Sequence, residues 1–251
     1  MDLGISGRRA AVAAASAGLG LASARALAEA GVDVAICGRD EARLRAATEA
    51  LAGLPGQVTG IPVDVSHPDG ATAFVEAAAD VLGGIDILVP NAGGPPAGGF
   101  DELDLDAYRA ALDLNLLSTV AMCRAAVPPM RDAGWGRVVA ITSVSVRQPI
   151  ERLILSNTAR AGVTGFLKTL ALEVAAHGVT VNSVQPGLHA TDRLVALHGG
   201  DPSGAARGVP VGQIGRPEDF GAVVAFLCSE HARFITGAAV PVDGGAHRGL
   251  Q

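Results

Sequence analysis

A chain of 251 residues can bury a core without disulfides or a structural metal, and here 49% of residues are apolar, with much alanine and only 3% aromatics. The formal net charge of −6, carried without any basic block, argues against a nucleic-acid groove, which needs clustered lysine and arginine. Cys37, Cys123 and Cys228 lie far apart, and the six histidines show no ligand spacing, so neither a disulfide framework nor a metal site is expected. The cysteines read as small buried side chains in a reducing compartment.

In chain order, Ala10–Ala15 reads as a buried strand that runs into Ser16-Ala17-Gly18-Leu19-Gly20 and a helix to Ala30. The apolar start is too short to span a membrane and has the wrong flanks for a signal peptide, so a cytoplasmic protein without a membrane partner is expected. Val32–Cys37 is a second strand and Glu41–Ala52 a charged amphipathic helix. Val58–Val63, Ala71–Leu82 and Ile85–Val89 follow as strand, helix and strand. Asp106–Met130 is helical, with a break near Asn115. Gly136–Thr142 is a strand, Ser156–Ala176 a long helix and Val179–Val184 a strand. Residues 187–215, rich in Gly, Pro and His, read as an irregular lid over a binding site. Pro217–Ser229 and Ala239–Val242 close the chain as helix and strand. Strands that are apolar on both faces and alternate with helices predict an α/β fold: a three-layer, doubly wound parallel sheet of seven strands. No linker or composition shift divides it, so residues 1–251 are expected to form one domain.

Glycines after a first strand let the backbone approach a pyrophosphate, and the following helix supplies amide donors and a favourable dipole. Ser16, Gly18, Leu19 and Gly20 are placed to do this. The second strand ends at Cys37-Gly38-Arg39, with no carboxylate there for a ribose 2′-hydroxyl. Arg39 instead suits a 2′-phosphate, which favours NADP(H) over NAD(H); the other reading is a solvated arginine opening a charged helix.

With these features the chain resembles the short-chain dehydrogenase/reductase family over essentially its whole length. The family's TGxxxGxG falls on Ala13 to Gly20, and the Asp after its third strand on Asp64 in Val63-Asp64-Val65. Its NNAG falls on Pro90-Asn91-Ala92-Gly93, its helix Asn on Asn115, and its PG on Pro186-Gly187 with the following Thr at Thr191. Its C-terminal segment falls on Arg216-Pro217-Glu218-Asp219 and Val242-Asp243-Gly244-Gly245. The resemblance implies that Gly18 and Gly20 line the pyrophosphate. It puts Asp64 and Val65 at the adenine, Asn91, Ala92 and Gly93 at the adenosine ribose, and Thr191 at the nicotinamide carboxamide. It also implies a homodimer or homotetramer built on the Ser156–Ala176 helix and the last strand.

The family's chemistry rests on Ser, Tyr and Lys, helped by Asn. Ser143 and Asn115 match, but Ser156 and Arg160 stand at the Tyr and Lys positions, and the only tyrosine is Tyr108. A serine hydroxyl is too weakly acidic to replace a tuned tyrosine, and a permanent guanidinium passes no proton, though Arg160 can still reach the nicotinamide ribose. His189, close after Gly187, is the candidate replacement donor, or else a loop histidine. Glu151 and Arg152 read as a site for a charged substrate or as an exposed ion pair. Ala13, Ala14 and Pro90 depart from the family in the same region. The chain is therefore expected to be an atypical NADP(H)-dependent oxidoreductase on a carbonyl or alcohol. A dinucleotide-binding sensor or partner subunit is one alternative. A lyase, cyclase or isomerase that reuses the pocket is the other. The substrate loop carries His189, Asp192, Arg193, His198 and Arg207, which tilts toward a polar small molecule.

Overall fold

Seven parallel strands in the order β3-β2-β1-β4-β5-β6-β7 organise the protein in a computed structural model that describes residues 1–197 and 204–249. The strands are β1 (Arg9–Val12), β2 (Asp33–Gly38), β3 (Val58–Pro62), β4 (Ile87–Val89), β5 (Gly136–Ile141), β6 (Val179–Pro186) and β7 (Ala239–Val242). The helices are α1 (Gly18–Glu29), α2 (Glu41–Ala50), α3 (Pro68–Leu82), α4 (Leu105–Leu112), α5 (Ser118–Asp132), α6 (Ile154–Val174), α7 (Asp192–Leu197) and α8 (Pro217–Cys228). This is the predicted doubly wound sheet.

Alternation along each strand feeds two cores. Ala10, Val12 and Ile36 face α1, α2 and α8 on one side, with Leu27, Leu44 and Phe220. Ala11, Ala35 and Leu88 face α3, α5 and α6 on the other, with Phe74, Met122 and Leu167. Small side chains let these layers approach closely. A Cβ on Gly221 of α8 would lie 2.3 Å from the Ala22 carbonyl oxygen of α1, so only glycine permits that crossing. At the N-terminal end of the sheet, Asp86 accepts hydrogen bonds from the Arg9 amide and guanidinium. Nearby, the Trp135 ring lies between the guanidinium groups of Arg8 and Arg137 and donates to Glu230 at 2.7 Å.

Three expectations are corrected. The first strand ends at Val12, not Ala15, because Ala14 adopts a left-handed backbone with φ 46 that breaks the regular strand, although the Ala13 and Ala15 amides still donate to the Val89 and Cys37 carbonyls. Asp106–Met130 is not broken at Asn115: α4 and α5 are joined by a π-helical turn, Asp113–Leu117, that keeps the helix continuous. The run Leu105–Asp132 is long and apolar enough to cross a membrane by composition, but half of its most apolar window is buried within the protein. Residues 187–215 are not wholly irregular, since they hold α7 and a 3₁₀ turn at Ala205–Gly208. Thr191 starts α7 by accepting from the Leu194 amide through its hydroxyl and its carbonyl. His198 and the rest of 198–203 lie outside the described residues.

The strain at Ala14 is testable. A left-handed alanine costs about 1 kcal/mol relative to a residue without Cβ. Ala14→Gly is expected to stabilise the protein by about that amount and raise Tm by about 2–4 °C. An unchanged or lower melting temperature in a thermal scan would show that the turn carries no strain.

Candidate active site

The strand order reverses between β1 and β4, and crevices at the C-terminal ends of strands around such a point are where doubly wound sheets bind ligands. Here the crevice is a cavity of about 740 Å³. Gly18, Leu19, Gly20, Asn91, Ala92, Gly93 and Thr191 line it, as do Ser143, Ser156, Arg160 and His189.

The first turn of α1 forms one wall. Its N-cap, Ala17, has no side-chain cap, so the opening amides keep their donor capacity for a ligand. Gly20 has no room for a Cβ, which would lie 2.8 Å from the Ala14 carbonyl oxygen and 2.9 Å from the Asn91 amide nitrogen. That same Asn91 amide donates to the Ala13 and Ala14 carbonyls, both at 3.2 Å, and so ties the turn to the end of β4. The Ala14 amide donates to the Cys37 sulfur, and burial pushes that thiol up to about 12, so Cys37 packs as a neutral group.

Ser16, Arg39, Asp64 and Val65 do not line the cavity. Ser16 lies against Gly38, where a Cβ would come within 2.9 Å of its hydroxyl, and Arg39 next to it is exposed. Asp64 accepts from the Ser66 amide at 2.9 Å, and the Val65 side chain is in the core. These residues fringe the ends of β2 and β3, outside the cavity wall.

At the opposite end, Ser143 follows β5 and accepts from the Ser145 amide at 3.1 Å. Ser156 and Arg160 lie one turn apart on α6 and share a face. The Arg160 guanidinium donates through Nη1 to the carbonyls of Ile141 and Thr142, each at 3.1 Å. Burial, and then the nearby Arg193, pushes its pKa down to about 10, so it stays cationic at neutral pH. The π-helical turn carries Asn115 inward beside this site. Its Nδ2 donates to the Gly93 carbonyl at 3.0 Å, while its buried Oδ1 has no partner among the described residues. Tyr108 lies on α4 and does not reach the cavity wall.

His189 is at the wall but is packed into it. It is 5% exposed, edge-on to Phe220 at 5.2 Å, with Nδ1 3.3 Å from the Gly187 carbonyl oxygen. Burial lowers its pKa, which keeps the ring neutral at neutral pH. Arg152 pairs with Glu102, at 2.8 Å, rather than with Glu151, and neither member of the expected pair lines the cavity.

Several wall residues had no motif to announce them. Arg43 of α2 pairs with Asp192 of α7 at 2.9 Å across 149 residues of sequence. Arg193 donates to the Pro95 carbonyl at 3.0 Å. Gln148, Pro149 and Ile150 join the wall with His247, whose tail is turned back by Asp243 accepting from the amides of Gly245 and His247. The Val-Asp-Gly-Gly run is the only local signal for that return.

The family model described as Enoyl-(Acyl carrier protein) reductase matches residues 13–247. The chain belongs to the short-chain dehydrogenase/reductase family. It is 35% identical over 238 residues to dehydrogenase/reductase SDR family member 4 of Oryctolagus cuniculus, covering 94% of this chain and 92% of that protein. It is 33% identical over 245 residues to the 3-oxoacyl-[acyl-carrier-protein] reductase FabG of Chlamydia pneumoniae, covering 98% and 99%. Among solved structures, L-sorbose reductase from Gluconobacter frateurii, complexed with NADPH and L-sorbose, superposes with a TM-score of 0.92 at 33% identity over 100% of both chains. The short-chain dehydrogenase/reductase family is one of oxidoreductases that use a nicotinamide dinucleotide, and this chain is an oxidoreductase of that type.

Proposed function

We propose that the protein is an atypical NADP(H)-dependent oxidoreductase that interconverts a carbonyl and an alcohol on a small molecule. The observation that carries this reading is the convergence, in one cavity, of the uncapped first turn of α1 with Thr191, Ser143, Ser156 and Arg160. The turn fits a pyrophosphate: its amides are free to donate, and Gly93 across the cavity leaves open space where a Cβ would meet nothing within 4 Å. In this reading Gly18, Leu19 and Gly20 hold the pyrophosphate, Ser16 and Arg39 the 2′-phosphate end, Asp64 and Val65 the adenine, and Asn91, Ala92 and Gly93 the ribose. Thr191 takes the carboxamide and Arg160 the nicotinamide ribose. The dinucleotide supplies the hydride. Ser143 and Ser156 donate hydrogen bonds to the substrate oxygen, and Asn115 offers its unpartnered Oδ1 to an ordered water. Arg160 keeps a positive charge near that oxygen without moving a proton. A neutral, packed His189 fits a wall residue better than a donor, so the proton comes from solvent through the serines. Cys37, Cys123 and Cys228, all free and buried, suit a reducing cytoplasm.

Titration with NADPH, followed by cofactor fluorescence, is expected to show saturable binding at submillimolar concentration, tighter than for NADH, with Arg39→Ala removing the difference. No saturable binding would overturn the reading, and equal affinity for both cofactors in the unaltered protein would overturn the preference.

Restoring the family pair tests the proton step. Ser156→Tyr with Arg160→Lys is expected to raise NADPH oxidation on simple ketones by about 10²-fold or more, the usual worth of a positioned general acid. If the double variant binds NADPH but gains nothing, the cavity has left carbonyl reduction, and a sensor or a lyase-type reaction becomes the better account.

We also propose a homodimer or homotetramer. Leu172 on α6, Phe226 on α8 and Phe234 just before β7 expose apolar surface in the region of the long helix and the last strand. Light scattering on the eluting protein is expected to give two or four chain masses, and a monomer at micromolar concentration would refute this.

A further inference from the structure

The cavity is a positive site on an acidic protein. The chain carries a net charge of −6, yet the described charged side chains of the wall are Arg43, Arg160 and Arg193 against the single carboxylate of Asp192. Asp192 is already engaged with Arg43 at 2.9 Å. Among the described residues, neither Arg160 nor Arg193 has a carboxylate within 4.0 Å. Each instead donates to neutral backbone carbonyls, Arg160 to Ile141 and Thr142 and Arg193 to Pro95, and the Arg193 guanidinium lies against Gly94; the remaining N–H groups of both forks have no carboxylate partner among the described residues. A buried cation without a counter-ion is costly, and Arg193 lies close enough to Arg160 to add like-charge repulsion. An anion in the cavity relieves both penalties. The surrounding wall, with Val144, Pro149, Ile150, Leu153 and Leu188, is apolar.

We infer that the substrate carries a carboxylate on an otherwise apolar carbonyl compound, and that Arg160 and Arg193 receive that carboxylate beside Ser143 and Ser156. The planar guanidinium fork matches a carboxylate in two parallel hydrogen bonds, which gives orientation as well as attraction. This rests on the oxidoreductase reading above and names its substrate class. It also accounts for arginine at the position where the family carries lysine. A group that binds an anion need not release a proton, and it stays charged throughout the physiological range.

The test is calorimetric titration with 2-oxo-4-phenylbutanoate and with its neutral primary amide, on the protein free of cofactor and on the protein saturated with NADPH. The acid is expected to bind at least tenfold more tightly than the amide in one or both forms, with the preference shrinking as salt is raised. Arg193→Gln is expected to cut the acid's affinity about tenfold and leave the amide's unchanged; Arg160→Gln, which also removes a group facing the cofactor and the carbonyl, is read on the cofactor-free protein, where the acid is expected to lose at least tenfold more affinity than the amide. Equal affinity of acid and amide, or no binding of the acid to either form, overturns the inference. So does a preference that survives both substitutions, which would assign the two arginines to the cofactor's phosphates alone. If Arg160→Gln does not fold, as read by circular dichroism, the more exposed Arg193→Gln decides, and an undiminished preference there overturns the inference. A failure of NADPH to bind overturns the oxidoreductase reading separately, since the preference of acid over amide is still read on the cofactor-free protein.

Discussion

The Asn91 side chain is the tie on which the site depends. Its amide donates to the Ala13 and Ala14 carbonyls, so the end of β4 holds the turn that follows β1. The tie works only because Gly20 has no Cβ to occupy the same space. Together they fix where α1 begins, and therefore where its free amides point. The crevice between β1 and β4 follows from the strand order, but the way the first turn of α1 faces it follows from this contact. Ala14 accepts an unfavourable left-handed backbone to complete it.

At the other end of the cavity, Ser156 and Arg160 stand where the family resemblance leads one to expect a tyrosine and a lysine. Ser156 and Arg160 keep the one-turn spacing on α6 that puts two side chains on one face. A serine in place of a phenol removes the tunable acid. An arginine in place of a lysine keeps the positive charge but spreads it over a planar fork that does not titrate near neutrality. The site is therefore better equipped to hold negative charge than to move protons. Arg193, brought in by α7, adds a second positive charge to the same cavity.

The fold was legible because its signals are local. Runs of alanine, valine and isoleucine between helical periods predict a parallel sheet, and all seven strands appear in the doubly wound order. The element ends were less legible where one residue decides them. Ala14 cuts β1 short through its own backbone angle, and the π-helical turn at Asp113–Leu117 keeps a helix whole where sequence periodicity falters. Helix α7 was hidden because it is short and sits in a Gly- and Pro-rich stretch whose composition outweighs six residues of helix.

By itself the sequence determined the sheet, the glycine turn before α1, and the four-residue spacing of Ser156 and Arg160, since each is a property of a few neighbouring residues. Only the tertiary structure decided which of the candidates meet. It seated His189 against Phe220, paired Arg152 with Glu102 rather than Glu151, and placed Arg43 against Asp192. It also brought Arg160 and Arg193 into one cavity. Such meetings join residues far apart in the chain, where neither periodicity nor spacing carries information, and tertiary packing is what settles them.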